Sequence, residues 1–229
     1  MIYLRNLLFY PVFYIGSIFF VTASVLSIPI GPVPLRRAVA AWSRFHRSCL
    51  RLLIGIEIKV EGQLAQEPVF YAVRHESFFE AIDAPAMYQT PVTFAKHELS
   101  VIPGWGRAAK AYGMIFVERD QGAKALRKMV SEARRYSQEG RPLVIYPEGT
   151  RTPHGQPGKL QAGFAGLYKL IGLPVVPVAV NSGPMYHRFW KRPGTITYRI
   201  GEKIPPGLPR AEIEARVNAA INSLNETPN

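Results

Sequence analysis

The chain has 229 residues, 48% of them apolar, with 28 Lys and Arg against 16 Asp and Glu for a formal charge of +12. That length carries one well-cored domain with an extension and excludes two domains of ordinary size, while a single cysteine, Cys49, excludes an internal disulfide. The charge suits polyanions, but no finger, aromatic ribonucleoprotein motif or basic-leucine pattern accompanies it, so the expected partner is a membrane surface and not nucleic acid.

Leu7 to Ile28 runs 22 residues without a charge, and at ~1.5 Å per residue a helix of that length covers ~30 Å of hydrocarbon. Pro11 in its first turns and Pro29 at its end leave a crossing helix and a kinked, half-inserted one both open. A cleaved signal peptide fits less well, because only Arg5 precedes the run and no small-residue cleavage site follows it. From Leu35 to Ile54 the pattern changes. On a helical wheel Arg36, Arg37, Arg44, Arg47 and Arg51 fall within roughly a 100° arc, and Leu35, Val39, Trp42, Phe45, Cys49, Leu50 and Leu53 oppose them. Such a helix lies on anionic lipid, with its arginines at the phosphates and Trp42 and Phe45 in the acyl boundary. The other reading packs it on the rest of the chain with its arginines in water. Five arginines after the apolar run against Arg5 before it direct the main domain to the cytoplasmic face. Residues 1–54 are therefore read as a membrane anchor built from a helical pair, and 55–229 as the main domain.

Short β-rich runs follow at Ile56 to Val60, Val69 to Val73, Val92 to Ala95, Ile115 to Val117, Leu143 to Tyr146, Val175 to Val180 and Ile196 to Ile200. Helical spacing alternates with them at Ser77 to Met87, Gly122 to Gln138, Lys159 to Ile171 and Arg210 to Leu224. The expected class is α/β, a mixed, mainly parallel sheet flanked by helices. Pro205, Pro206, Gly207 and Pro209 stiffen the link to the last helix, and the polar tail after Asn225 is expected to fray.

Four clusters carry chemistry. In Arg74-His75-Glu76-Ser77-Phe78-Phe79-Glu80 a histidine stands where an apolar strand gives way to a helix, with a carboxylate five residues on. An imidazole there can take a proton from a hydroxyl while the carboxylate fixes its tautomer. The same residues also read as a capping box, Ser77 on the amide of Glu80 and Glu80 on the amide of Ser77. In the second cluster, Lys96-His97-Glu98-Leu99 leads through Pro103, Gly104 and Gly106 to Gly113 and Arg119. Glycines let backbone approach a ligand, and Lys96 and Arg119 are cations near strand ends; the bare reading is a turn, a helix and a turn with solvated charges. The third, Tyr146-Pro147-Glu148-Gly149-Thr150-Arg151, is a tight turn after a buried strand. Arg151 offers a planar fork for phosphate and Glu148 can hold a cation or a hydroxyl; alternatively the two form an ion pair that pins the turn. The fourth, Val175 to Val180, is an apolar strand whose Pro177 suggests an edge or bulge beside a hydrophobic channel, or a plain core strand.

In this order, over Val69 to Gly183, the clusters resemble the four motifs of the lysophosphatidic acid acyltransferase family, among the glycerolipid acyltransferases. The family's first motif, a histidine, four residues and an aspartate, maps onto His75 and Glu80. Its third, phenylalanine-proline-glutamate-glycine-threonine-arginine, maps onto Tyr146 to Arg151. The resemblance implies His75 as general base, Glu80 as its orienter, Glu148, Gly149, Thr150 and Arg151 at the glycerol phosphate, and Lys96 and Arg119 near that phosphate. It implies acyl-CoA or acyl-carrier protein as donor co-substrate, lysophosphatidic acid as acceptor at its sn-2 hydroxyl, and no cofactor, metal or acyl-enzyme. A bacterial inner membrane is the implied location. Glu80 stands where the family has aspartate, adding a methylene, and Tyr146 replaces phenylalanine. Three rival readings stay open: acylation of another lysolipid such as lyso-ornithine lipid, a catalytically silent lipid-binding relative, and, on charge alone, a nucleic-acid binder.

Overall fold

The structure, a computed structural model, describes residues 2–118 and 122–225, with backbone alone at 123–125. Arg119 and the tail from residue 226 lie outside the described residues. The strands are β1 (Ile56–Glu61), β2 (Phe70–Val73), β3 (Val92–Lys96), β4 (Ile115–Val117), β5 (Leu143–Ile145), β6 (Val175–Val180) and β7 (Gly194–Ile200). They form one sheet in the order β1-β7-β6-β2-β5-β3-β4, parallel at every pairing except β6 with β7. This is the mixed, mainly parallel sheet expected. Strands β2 to β6 run the same way, so their C-terminal ends share one edge, where open α/β sheets bind ligands.

All of β2 and β6 is buried, because both faces of the sheet are covered. Alternate side chains supply two cores. Tyr71, Val73, Val144, Val176 and Val178 meet the N-terminal helices and α3 (Phe79–Met87) on one face. Phe70, Ala72, Leu143 and Val175 meet α5 (Gly122–Gln138), α6 (Ala162–Ile171) and α7 (Arg210–Ile221) on the other. A short helix, α4 (Trp105–Tyr112), lies between β3 and β4 and packs on the N-terminal pair.

Pro177 is not at an edge, since β6 lies between β7 and β2. It sits where the antiparallel partner chain gains one residue, between the Val178↔Ile200 pair and the Val175↔Ile204 bridge. The bulge places Gly201 so that its N–H bonds the Pro177 carbonyl at 2.8 Å, and no ladder bond asks for the missing proline N–H.

The N-terminal pair is α1 (Ile2–Ser27), which runs on through Pro11, and α2 (Pro32–Cys49), continued by a π-turn at Leu50–Ile54. The two helices approach closely at Gly16, where an added Cβ would stand 2.3 Å from the Phe45 ring. Phe13 stacks on Trp42, and the Trp42 indole N–H bonds Ser17 Oγ at 2.9 Å. Trp42 and Phe45 therefore pack on α1. Two of the five arginines are likewise held by the protein's own carboxylates: Arg47 by buried Asp83 at 2.6 Å, Arg36 by Glu139 at 3.6 Å. The sequence pattern described an amphipathic helix correctly, but its apolar side belongs to α1, which the wheel could not show.

The main domain contacts α1 at several points, with α2 against Gly16 and Ser17. At the N-terminal end Asn6 exchanges two 2.8 Å bonds with the backbone of Lys191 and the Tyr10 hydroxyl bonds the Phe189 carbonyl. Phe9 and Phe13 enter the core in the middle, and Val21 lies against Gly104 towards the far end. Leu7, Leu8, Ile15, Ile18, Phe19 and Leu26 stay exposed on the other side.

Candidate active site

The loop from β2 to α3 sets His75 at the C-terminal edge of the sheet. Its Nδ1 lies 3.2 Å from Glu80 Oε2, Glu80 being in the first turn of α3. A carboxylate only accepts, so Nδ1 carries the hydrogen and Nε2 is left as the base. The His75 side chain is 16% exposed and its ring stacks on Tyr146, 4.5 Å between centroids. Glu80 is buried. Its Oε2 also accepts the Ser77 N–H at 3.1 Å, and its Oε1 accepts the Ser182 hydroxyl. The capping and orienting readings thus coexist in one carboxylate, with one correction: Ser77 Oγ caps the amide of Phe79, at 3.1 Å, and not that of Glu80. The extra methylene of glutamate is absorbed, and the carboxylate reaches the imidazole.

The third cluster follows β5 on the neighbouring strand. Gly149 adopts φ 65°, a left-handed backbone that a glycine takes at no steric cost, and its N–H closes the turn on the Tyr146 carbonyl at 3.0 Å. Glu148 does not face the opening. It is buried, paired with Arg74 Nη1 at 3.3 Å, and accepts the His75 N–H at 3.3 Å. Its partner is therefore Arg74, not Arg151, and it pins the turn against the histidine loop. Thr150 and Arg151 are exposed, and the Arg151 guanidinium rests 4.0 Å over the Phe78 ring, beside that loop. Lys96 is exposed at the end of β3. With β5 between β2 and β3, it lies about 10 Å along the edge from the histidine's strand. In the second cluster His97 pairs with Glu118 at 3.5 Å.

Beneath this edge sits a charged cluster that no motif announced. Arg74 is fully buried: it bonds the Gln156 carbonyl at 2.6 Å, the Pro153 carbonyl at 3.2 Å and Asn222 Oδ1 at 2.8 Å, and pairs with Glu76 at 3.6 Å. Glu76 in turn meets His154 Nδ1 at 3.0 Å and accepts the Gly183 N–H at 2.9 Å. Burial raises both Glu76 and Glu148 above the usual carboxylate range, His154 and Arg74 respectively opposing it. Burial also pushes the Tyr146 hydroxyl well above the ordinary phenol value, with Glu80 adding to it. The cluster ties the His75 loop, residues 148–156 and the end of α7 into one unit. Ser182 and Gly183 enter from the end of β6, immediately after the apolar strand of the fourth motif. The one signal available for them was two charges, Arg74 and Glu76, flanking a histidine straight after a four-residue buried strand. Among the described residues no group of three or more His, Cys, Asp or Glu side chains could hold a metal.

A family model described as acyltransferase matches residues 56–181, which takes in β1 to β6 and both His75 and Glu80. A 1-acyl-sn-glycerol-3-phosphate acyltransferase of Pseudomonas aeruginosa is 31% identical over 97% of this chain and 86% of its own length. The chain belongs to the acyltransferase family. A second relative from the same organism, a lyso-ornithine lipid O-acyltransferase, is 28% identical to this acyltransferase over 82% of the chain and 78% of the relative. The crystal structure of the 1-acyl-sn-glycerophosphate acyltransferase from Thermotoga maritima superposes on the acyltransferase with a TM-score of 0.79 at 20% identity, each chain covered completely, which establishes the fold.

Proposed function

We propose that this acyltransferase moves a fatty acyl group from acyl-CoA or acyl-carrier protein to the sn-2 hydroxyl of lysophosphatidic acid, giving phosphatidic acid. The observation that carries the reading is the His75 Nδ1 to Glu80 Oε2 contact of 3.2 Å, which leaves Nε2 free to accept a proton at a ligand-binding sheet edge. The acceptor hydroxyl loses its proton to His75 as its oxygen attacks the thioester carbonyl. The tetrahedral oxyanion collapses, the C–S bond breaks, and the imidazolium returns the proton to the departing thiolate. Glu80 stabilises the imidazolium between the two steps. Lys96, Thr150 and Arg151, exposed along the same edge, are the groups we assign to the acceptor phosphate.

Both lysolipid and product live in bilayers, and α1 supports a membrane setting. It is apolar and long enough to cross by length and composition, yet it is docked on the main domain through Asn6, Tyr10 and Val21. We infer that it lies in the interface plane with Leu8, Ile15 and Phe19 among the acyl chains.

The lyso-ornithine lipid relative motivates a second acceptor. Purified protein in detergent, given an acyl thioester and either lysophosphatidic acid or lyso-ornithine lipid, decides between them. Faster transfer to lysophosphatidic acid is expected, and preference for the phosphate-free alternative, lyso-ornithine lipid, would overturn the assignment of the cationic edge to a phosphate.

A further inference from the structure

The connection from β6 to β7 contains a hairpin that the chemistry above leaves unused. It is closed by an antiparallel bridge between Tyr186 and Lys191 and by the Arg192 N–H on the Met185 carbonyl at 2.9 Å. The tip reads His187-Arg188-Phe189-Trp190, and all four residues are exposed. Phe189 is 59% exposed and Trp190 46%, so two adjacent aromatic rings are held out of the core. Water rewards no such arrangement, whereas an apolar or interfacial partner does.

The stem beneath the tip is rigid. Lys191 is buried and turns its ammonium inward, 4.7 Å from the centre of the Tyr10 ring, 4.3 Å from that of Tyr186 and 3.1 Å from the Tyr10 hydroxyl. Asn6 of α1 clamps the backbone of the same lysine through its two 2.8 Å bonds, and the Tyr10 hydroxyl donates to the Phe189 carbonyl. The rings therefore stand at a fixed place beside α1.

That place is one border of the exposed apolar side of α1. Trp190 meets Tyr3 edge-on with 5.0 Å between ring centroids, and Tyr10 stacks on Tyr14 at 6.1 Å. Tyr3, Tyr10 and Tyr14 stand at i, i+7 and i+11, a single row on a helix, next to exposed Leu7 and Ile18. Neither the Tyr3 hydroxyl nor the Trp190 indole N–H bonds another described residue, so both polar tips are free for a headgroup. Arg188 and Arg192 are exposed and belong to none of the ion pairs among the described residues. Residues 2–14 and 184–195, which build this surface, contain no Asp or Glu; the ladder brings in a first carboxylate only at Glu57, opposite Thr195. Aromatic rings with free polar tips, bordered by arginines and continuous with an apolar helix face, match the boundary layer of an anionic bilayer.

We infer that the 187–190 hairpin is a second membrane contact, which seats Phe189 and Trp190 at the headgroup–acyl boundary of an anionic bilayer with Arg188 and Arg192 at its phosphates. This rests on the reading of α1 as lying in the interface, and adds that the Tyr3 to Tyr14 row is the border of that helix which meets the headgroups. The hairpin leaves β6 through Ser182 and Gly183, which hold Glu80 and Glu76. One short length of chain thus joins the lipid contact to the His75 site.

The test labels Phe189→Cys, Ile15→Cys and Gln138→Cys, each in a Cys49→Ser background and each with wild-type acyl transfer in detergent, with an environment-sensitive fluorophore. The labelled proteins are reconstituted into phosphatidylglycerol vesicles that carry lipids brominated near the top of the acyl chain. Quenching is expected at positions 189 and 15 and not at 138, on the far face of the sheet. In phosphatidylcholine the quenching at 189 is expected to weaken, since each arginine contributes a factor of ~5 on anionic lipid. Quenching at 15 without quenching at 189, or equal quenching at 189 and 138, would overturn the inference. Equal quenching at 189 in both lipids would overturn its anionic part. Shielding of 189 that follows the protein-to-lipid ratio and not the bromine would assign the tip to a second copy of the chain, and so overturn it as well. No quenching at 15 sinks the reading of α1 itself, which separates the two failures.

Discussion

At the scale of residues, Glu80 is the pivot of the site, because one buried carboxylate orients His75, caps α3 and holds Ser182. Ser182→Ala removes a donor to a buried carboxylate, and bonds to charged groups are worth about 1.5 to 3 kcal/mol. An unfolding free energy lowered by that amount in chemical denaturation is expected, together with a reduced kcat. An unchanged kcat would detach Ser182 from the orientation of Glu80. Arg74 presents a sharper case. Arg74→Met would strand Glu76 and Glu148, both buried, and breaking a buried pair costs about 3 to 5 kcal/mol. Adding Glu148→Gln is expected to restore part of the loss in chemical denaturation; no recovery would show that Arg74 acts through its carbonyl partners at Pro153 and Gln156 instead.

At the scale of elements, α2 is held by groups that its helical wheel could not reveal. His46 is fully buried, its Nε2 2.9 Å from the Tyr186 hydroxyl. Burial, with Lys191 and Arg47 nearby, holds its pKa down to about 3. The folded state therefore keeps His46 neutral while the unfolded chain takes up a proton below about 6.5. Stability must fall as pH drops from about 6.5 towards about 3, by at most ~1.4 kcal/mol per pH unit from this group. In His46→Gln that part of the acid slope is expected to vanish from denaturation curves. An unaltered slope would place the acid sensitivity elsewhere. Gly16 is the second device. Gly16→Leu puts a side chain into the Phe45 ring and is expected to separate α1 from α2, seen as faster proteolysis within residues 1–31.

The strands were legible in the sequence because each is short, apolar and bounded by turn residues, and the alternation of types announced the class. All seven start within two residues of expectation, Gly194 and Phe70 marking the small discrepancies. The order of strands was not legible, since it depends on crossovers and on the single antiparallel pairing of β6 with β7. Nor was the role of Glu148, whose partner Arg74 is 74 positions away in sequence, nor the seating of Trp42 on α1. His75 with Glu80 was readable because both lie in one local segment. His154 with Glu76 and Ser182 with Glu80 were not, because only the sheet edge brings them together.

At the scale of the whole molecule, a helix docked lengthwise gives a topology that can be read directly. In a Cys49→Ser background, Tyr3→Cys stands in the first turn of α1 and Pro29→Cys just beyond its end. Both are expected to react with a membrane-impermeant thiol reagent from the same side of sealed vesicles, whereas labelling from opposite sides would mean that α1 crosses. The account as a whole depends on proton removal by His75. Acyl transfer from a thioester to lysophosphatidic acid by His75→Ala, in protein whose circular dichroism matches wild type, tests it most directly. A fall of about 10² to 10⁴ in kcat is expected; a variant within about tenfold of wild type would contradict the mechanism.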